Sequence, residues 1–292
     1  MLIALGFAVV IVSVFGGFAL AGGHLGPLFQ PTEFVMIGGA GLGAFIAANH
    51  GKAIKATFRA FSRLKRASGY DKALYMELMG LLYKLLNKIR HNGMLGVEAD
   101  IDDPAASPLF QEHPRVLEDP LIVNFLTDYL RIMVSGGMDP MEIDELMLHE
   151  IEAFESESHI PVDAISKVAD AMPAFGIVAA VMGVVRALSA ADAPPDQMGQ
   201  MIAHALVGTF LGILMGYGFI APLASRLERQ TKEAEKVLQC VRVTLLASLH
   251  GYAPQLAVEF GRKAVHSAER PSFVELEDHV RSTRAAAVAE GA

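Results

Sequence analysis

The chain has 292 residues, 52% of them hydrophobic, a mean hydropathy of +0.38 and a formal net charge of −8. Apolar content at that level points to a membrane protein before any motif is read, and the acidic balance excludes the basic field of a nucleic-acid binder. Cys240 is the only cysteine, which excludes an internal disulfide framework and clustered cysteine metal sites.

In chain order, Leu2 to Ala21 carries no charge and is long enough to cross the hydrocarbon core as a helix. A cleaved signal peptide ending at Ala19-Leu20-Ala21 is the rival reading. It lacks a Lys or Arg ahead of the apolar run, and a second run follows directly. That second run, Phe34 to Ala48, is shorter and Gly-rich. The third extends from about Ala171 to Leu188 and the fourth from about Met201 to Leu223. The connections 22–33 and 189–199 carry Gly and Pro and read as tight loops between paired helices.

Charge sets the direction of these spans. The two short connections contain no Lys or Arg, whereas 50–168 contains thirteen and 224–292 ten of the chain's 24; Arg186 is the remaining one. Positive charge stays inside, so both short loops face out and both termini are cytoplasmic. The reading is an all-α integral membrane protein of four transmembrane helices with a large helical cytoplasmic domain. Its parts are a first helix pair (1–49), a cytoplasmic domain (50–169), a second helix pair (170–223) and a cytoplasmic tail (224–292).

Between the pairs, Lys52, Lys55, Arg59, Arg63 and Arg66 recur at steps of three and four. They form one basic helix face suited to anionic headgroups. Leu74, Leu78, Leu81, Leu82, Leu85, Leu86 and Ile89 continue at helical spacing until Asn92-Gly93. Asp119-Pro120 opens another helix, which ends by Gly136-Gly137. Asp139-Pro140-Met141-Glu142 supplies an N-cap, a first-position proline and an acid three residues on. The acids that follow (Glu142, Asp144, Glu145, Glu152 and Glu155) read as a solvated face.

Enzyme motifs fail one by one. His149-Glu150 lacks the second histidine of a zinc-protease helix. Gly39, Gly41 and Gly43 lie inside an apolar span with no preceding strand, and Gly51-Lys52 lacks the remainder of a phosphate loop. No Gly-x-Ser-x-Gly elbow occurs. The chain therefore reads as a protein without catalytic residues or cofactor.

The spans themselves are more informative. Small residues mark helix contact faces in lipid. Gly208, Gly212 and Gly216 lie four apart on the fourth span, Ala179, Gly183 and Ala187 on the third, and Gly39, Gly43 and Ala47 on the second. Ala180 and Thr209 are equally far from the middle of the connection joining the last two spans, which sets them at one depth. The Thr209 hydroxyl either bonds to a carbonyl of its own helix or serves an ion pathway. Pro173 and Pro222 read as lying at matched depth near the cytoplasmic ends, as static kinks or as hinges. No Asp or Glu falls at the centre of any of the four runs, so an ion-conducting role requires a carboxylate from a partner.

The block Ala205-Leu206-Val207-Gly208-Thr209-Phe210-Leu211-Gly212, closed by Pro222, resembles the signature of the MotA family, distantly related to the ExbB and TolQ energising proteins. The opening Met1-Leu2-Ile3, Val14-Phe15-Gly16-Gly17, Gly51-Lys52-Ala53-Ile54-Lys55 and the run from Pro173 to Val185 resemble it as well. So do Gly251-Tyr252-Ala253-Pro254 and Glu269-Arg270-Pro271-Ser272-Phe273. The resemblance implies a stator subunit of the bacterial flagellar motor in the inner membrane. Five copies would surround two single-span helices of a peptidoglycan-binding MotB, whose membrane Asp carries the ion. Ion passage would turn the ring against the rotor switch-ring protein FliG. On the same resemblance, Arg90 and Glu98 match the rotor-contacting charges, Pro173 and Pro222 the coupling prolines, and Thr209 the channel-facing hydroxyl. Ala180 stands where sodium-driven relatives have a hydroxyl, which implies H+ as the transported ion. The runner-up, an ExbB/TolQ-like subunit energising an outer-membrane system, fits less well with four spans and a long segment between the second and third. A scaffold without ion flux is the third class.

Overall fold

In hydrocarbon every backbone amide must be satisfied within its own segment or barrel, and among the residues described by the computed structural model (2–64, 69–190, 192 and 194–290) every regular element is a helix. The helices are α1 (Leu2–Leu20), α2 (Pro31–Ala48), α3 (Gly51–Leu64), α4 (Lys72–Asn92), α5 (Glu98–Asp102), α6 (Pro120–Ser135), α7 (Pro140–Ser189), α8 (Pro195–Leu249), α9 (Pro254–Ala264) and α10 (Phe273–Glu290). Single turns at Pro108–Gln111 and Pro114–Leu117 lie between α5 and α6. Four of the helical stretches are long and apolar enough to cross a membrane: α1, Gly26–Ala48, α7 and α8. The 50 residues of α7 exceed the roughly 20 that a bilayer core requires, so only its apolar part lies in lipid.

Two compact units share the chain, one of Met1–Arg66 with Ser158–Arg229 and one of Ala67–Glu157 with Gln230–Ala292. The first holds the apolar spans. Phe7 meets Phe219 edge-on at 5.1 Å between ring centroids and Phe15 meets Phe210 at 6.0 Å, which sets α1 against α8. Ile37, Met172, Ala179, Val207 and Leu211 form its buried centre. Below them Ala60 and Leu64 of α3 pack with Val162, Ile165, Ala224 and Leu227, while Lys52, Lys55 and Arg59 are exposed beside the exposed ring of Phe58. The side chain of Arg63, and Arg66 altogether, lie outside the described residues. Ile177, Val178, Val181, Met182 and Val185 leave an apolar face of α7 uncovered, as suits lipid or another membrane chain.

The second unit is built around Leu78, Leu81, Leu82, Phe110, Phe125, Tyr129 and Leu238. Its helix ends follow the sequence signals. Gly93 closes α4 at a φ of 76° and Asp119 accepts from the Leu121 amide; at the start of α4 Asp71, not singled out in the sequence, accepts from the Leu74 amide. Asp139 accepts from the Glu142 amide while the Glu142 carboxylate accepts from the Asp139 amide, a reciprocal capping box. The solvated acidic face needs one correction. Asp144 accepts two hydrogen bonds from Arg242 at 2.7 and 2.9 Å and is three-quarters buried, so it belongs to the packing between α7 and α8.

Candidate functional site

The seam between α7 and α8 is formed by residues that have almost no side chain. A Cβ built on Gly212 would lie 2.6 Å from the Met172 carbonyl oxygen and 2.8 Å from the Gly176 Cα. One on Gly216 would lie 2.5 Å from the Ala169 oxygen, and one on Gly176 2.7 Å from the Gly208 oxygen. Backbone therefore touches backbone along three turns, as antiparallel helices can do in lipid only where both lack bulk. Gly183 continues the contact outward against Ala205.

This register places the residues singled out above. The Ala180 amide lies 3.2 Å from a Cβ built on Gly208, so Ala180 and the neighbouring Thr209 share one level. Ala180 is buried and Thr209 half-buried. Thr57, Thr244 and Ser189 return their hydroxyls to the carbonyl four residues earlier, whereas among the described residues Thr209 makes no such bond. Its oxygen remains available.

The prolines differ from the expectation of matched depth. Pro173 Cδ lies 3.2 Å from a Cβ built on Gly216, six residues before Pro222, so the two prolines are offset by about a turn and a half. By residue count, too, Pro222 lies farther from the middle of the 189–199 connection than Pro173 does. Pro222 instead follows a π-helical stretch, Leu214–Ile220. Proline cannot donate to the carbonyl four residues back and displaces it, and the wider turn relieves that conflict. A second interruption, Val12–Gly16, occurs in α1, and Pro161 is a further internal proline of α7. Sequence reading missed all three, although proline and paired glycines are the local signals.

It also misplaced Glu33. The apolar run starts at Phe34, which puts Glu33 in a loop, but α2 begins at Pro31 and Glu33 is its first-turn acid, only 6% exposed. Its Oε2 lies 2.8 Å from a Cβ built on Gly208 and has no hydrogen-bond partner. The centres of the four runs still hold no Asp or Glu, but the outer end of α2 supplies a buried carboxylate.

In the second unit, Arg90 is in the last turn of α4 and Glu98 is the first residue of α5, both exposed and without an ion pair among the described residues. Each lies at the helix end that suits its charge. Their neighbours behave differently. Lys88 pairs with Asp100 at 2.7 Å, and Ser107 donates to the same buried carboxylate at 2.7 Å, which ties α5 to α4. The structure thus separates structural charges from free ones within a dozen residues.

Family comparison agrees with this geometry along most of the chain. A "Motility protein A N-terminal" model matches residues 4–93, and a "MotA/TolQ/ExbB proton channel family" model matches 117–240. The chain is 56% identical over 284 residues to Motility protein A of Salmonella typhimurium, covering 97% of this chain and 96% of that one. It is 55% identical over 284 residues to Motility protein A of Escherichia coli K12, with the same coverage. Among solved structures, the flagellar MotAB stator complex of Bacillus subtilis superposes with a TM-score of 0.73 at 26% identity, over 88% of this chain and 92% of that one. The C. jejuni MotAB structure shares the fold, with a TM-score of 0.78 at 21% identity over 92% and 98% of the two chains.

Proposed function

The chain belongs to the Motility protein A family, within the MotA/TolQ/ExbB proton channel proteins, and is a stator subunit of the bacterial flagellar motor; on that premise we propose how it works. It lies in the inner membrane with both termini in the cytoplasm, and five copies surround the two single-span helices of a MotB-like, peptidoglycan-binding partner. The partner's membrane carboxylate carries the proton past the level of Ala180 and Thr209. Ala180 offers no side-chain oxygen to replace the lost water of a sodium ion, whereas a proton needs only a protonatable group and a hydroxyl or water chain. Pro173 and Pro222 shape the helix movement that accompanies transfer, and the 50–169 domain presents Arg90 and Glu98 to the switch-ring protein FliG. Likeness to motility chains along nearly their whole length carries this reading and leaves an ExbB- or TolQ-like role unfavoured.

Deletion of the gene should leave flagella assembled but still, and a tagged copy should restore swimming and bring down the MotB-like partner. Swimming speed should follow the proton-motive force, stop with a protonophore and continue without sodium. Sodium-dependent rotation would overturn the choice of ion. For topology, cysteines at Gly26 and Gln197 should react with an impermeant thiol reagent from outside and one at Asp103 should not. Cys240 cannot serve as the inward reporter, because it is fully buried.

A further inference from the structure

Glu33 is a carboxyl group without a stated use, placed where the three spans α2, α7 and α8 meet. Its Oε2 is buried and unbonded, and it rests against the bare backbone at Gly208. A Cβ built on Gly208 would lie 2.8 Å from that oxygen, 3.1 Å from the Ala179 Cβ and 3.2 Å from the Ala180 amide nitrogen. Glu33 therefore reaches the level of Gly208 and Ala180, next to Thr209. No other ionisable residue occurs in α1 or α2. The charged and titratable groups nearest along the elements packed on it are His24 in the preceding loop, Arg186 on α7, Asp192 and Asp196 at the connection, and His204 on α8. All five are exposed, and none of them makes an ion pair with Glu33 among the described residues. A structural carboxylate in such a place is held by hydrogen bonds or a counter-ion, because an unpaired buried charge is costly. This one has neither, so its free oxygen is suited to taking and releasing a proton.

We propose that Glu33 is a proton-binding group of the ion path, supplied by this chain in addition to the partner's carboxylate. A proton arriving on hydronium forms an O–H bond at Oε2 and leaves water behind. On release that bond breaks, its electron pair stays on the carboxylate, and the proton passes to the next water. Gly208 keeps the site open: a methyl group there would occupy the position that the oxygen now approaches.

The inference rests on the proton-conducting reading, and one experiment separates the two. This chain and its MotB-like partner are reconstituted in vesicles, and proton uptake under an imposed membrane potential is followed with an entrapped pH dye. Glu33→Gln keeps the size of the side chain but cannot carry a proton. It should lower uptake at least tenfold with complex size unchanged on native mass measurement, while Glu33→Asp should be intermediate. A merely structural Glu33 would leave the Gln variant conducting, and equal uptake by wild type and Glu33→Gln overturns this inference while sparing the proton reading. No proton uptake by the wild type, with sodium uptake instead, overturns both. Should Glu33→Gln fail to assemble, pH-difference infrared spectra of wild type and Glu33→Asp decide: a carboxylic-acid carbonyl band that moves in the Asp variant supports the assignment, and an unmoved spectrum overturns it.

Discussion

The two units of this chain are held together by opposite means. In the first, Gly176, Gly208, Gly212 and Gly216 bring two helix backbones into contact, while Ile177, Val178, Val181, Met182 and Val185 of α7 point away. In the second, Leu78, Leu82, Phe125, Tyr129 and Leu130 fill a core of side chains, with Arg242–Asp144 and Lys88–Asp100 pairs at its margins. The difference follows from the solvent. Lipid tails are as apolar as leucine, so only close packing and hydrogen bonding favour helix association there. In water the removal of apolar surface does the work. Adding one carbon should therefore break the first unit, and removing carbons should weaken the second.

Gly212→Val tests the first half and carries the largest expected effect. Its Cβ would meet a carbonyl oxygen and a Cα, neither of which can swing aside. The seam should open, and the protein should be lost from the membrane fraction or fail to reach its native size, with swimming abolished. Normal assembly of this variant would show that the seam is not close-packed. Leu126→Ala tests the second half. Leu126 is fully buried in the second unit, and its truncation should cost about 2–5 kcal/mol by chemical denaturation. The spans should still insert, which membrane fractionation would check.

The same contrast decides what could be read from residues alone. Helix ends were legible because Asp119 and Asp139 cap through bonds to amides two or three residues away, a purely local matter; Asp71 caps in the same way but was not singled out. The glycine spacing on α8 pointed to a contact face, yet its partner residues Met172 and Gly176 depend on the register of two helices. Glu33 was hidden because a count of apolar residues stops at any charge, while the fold buries this one against a glycine on another span. The π-helical stretch before Pro222 was hidden for a related reason: a proline announces a conflict but not how the preceding turn absorbs it. Arg90 and Lys88 look alike in sequence, and only the position of Asp100 tells them apart.

A smaller effect concerns acid and the second unit. Burial holds the His113 imidazole below its ordinary value near 6.5, although its Nδ1 donates to the Leu109 carbonyl at 2.8 Å. The unfolded chain then binds the proton more readily than the folded one. The stability contributed by neutral His113 is complete above about pH 6.5 and is lost as pH falls through that value toward the depressed one. Lys84 opposes protonation and Glu112 and Glu77 favour it, so burial decides the sign. Thermal unfolding of the intact protein in detergent should show a lower Tm at pH 5.5 than at pH 7.5. His113→Gln should flatten that slope, and an unchanged slope would assign the acid sensitivity to other groups.

The smallest effect on stability and the sharpest on function belong to two lysine-like neighbours on α4. Arg90 is exposed and unpaired, so Arg90→Glu should change unfolding free energy by no more than about 0.5 kcal/mol. Lys88→Glu, two residues earlier, sets a like charge against the buried Asp100 and should destabilise the unit measurably more. If the rotor reads Arg90 and Glu98, motility should fall in the reverse sense: Arg90→Glu should impair rotation under load at normal protein levels, and an opposite reversal on FliG should restore part of it. Lys88→Glu should impair swimming only as far as it lowers the amount of folded protein, and no rotor change should rescue it. Normal swimming under load by both Arg90→Glu and Glu98→Lys would reduce these charges to surface decoration, and the free charges of this turn would then need another partner.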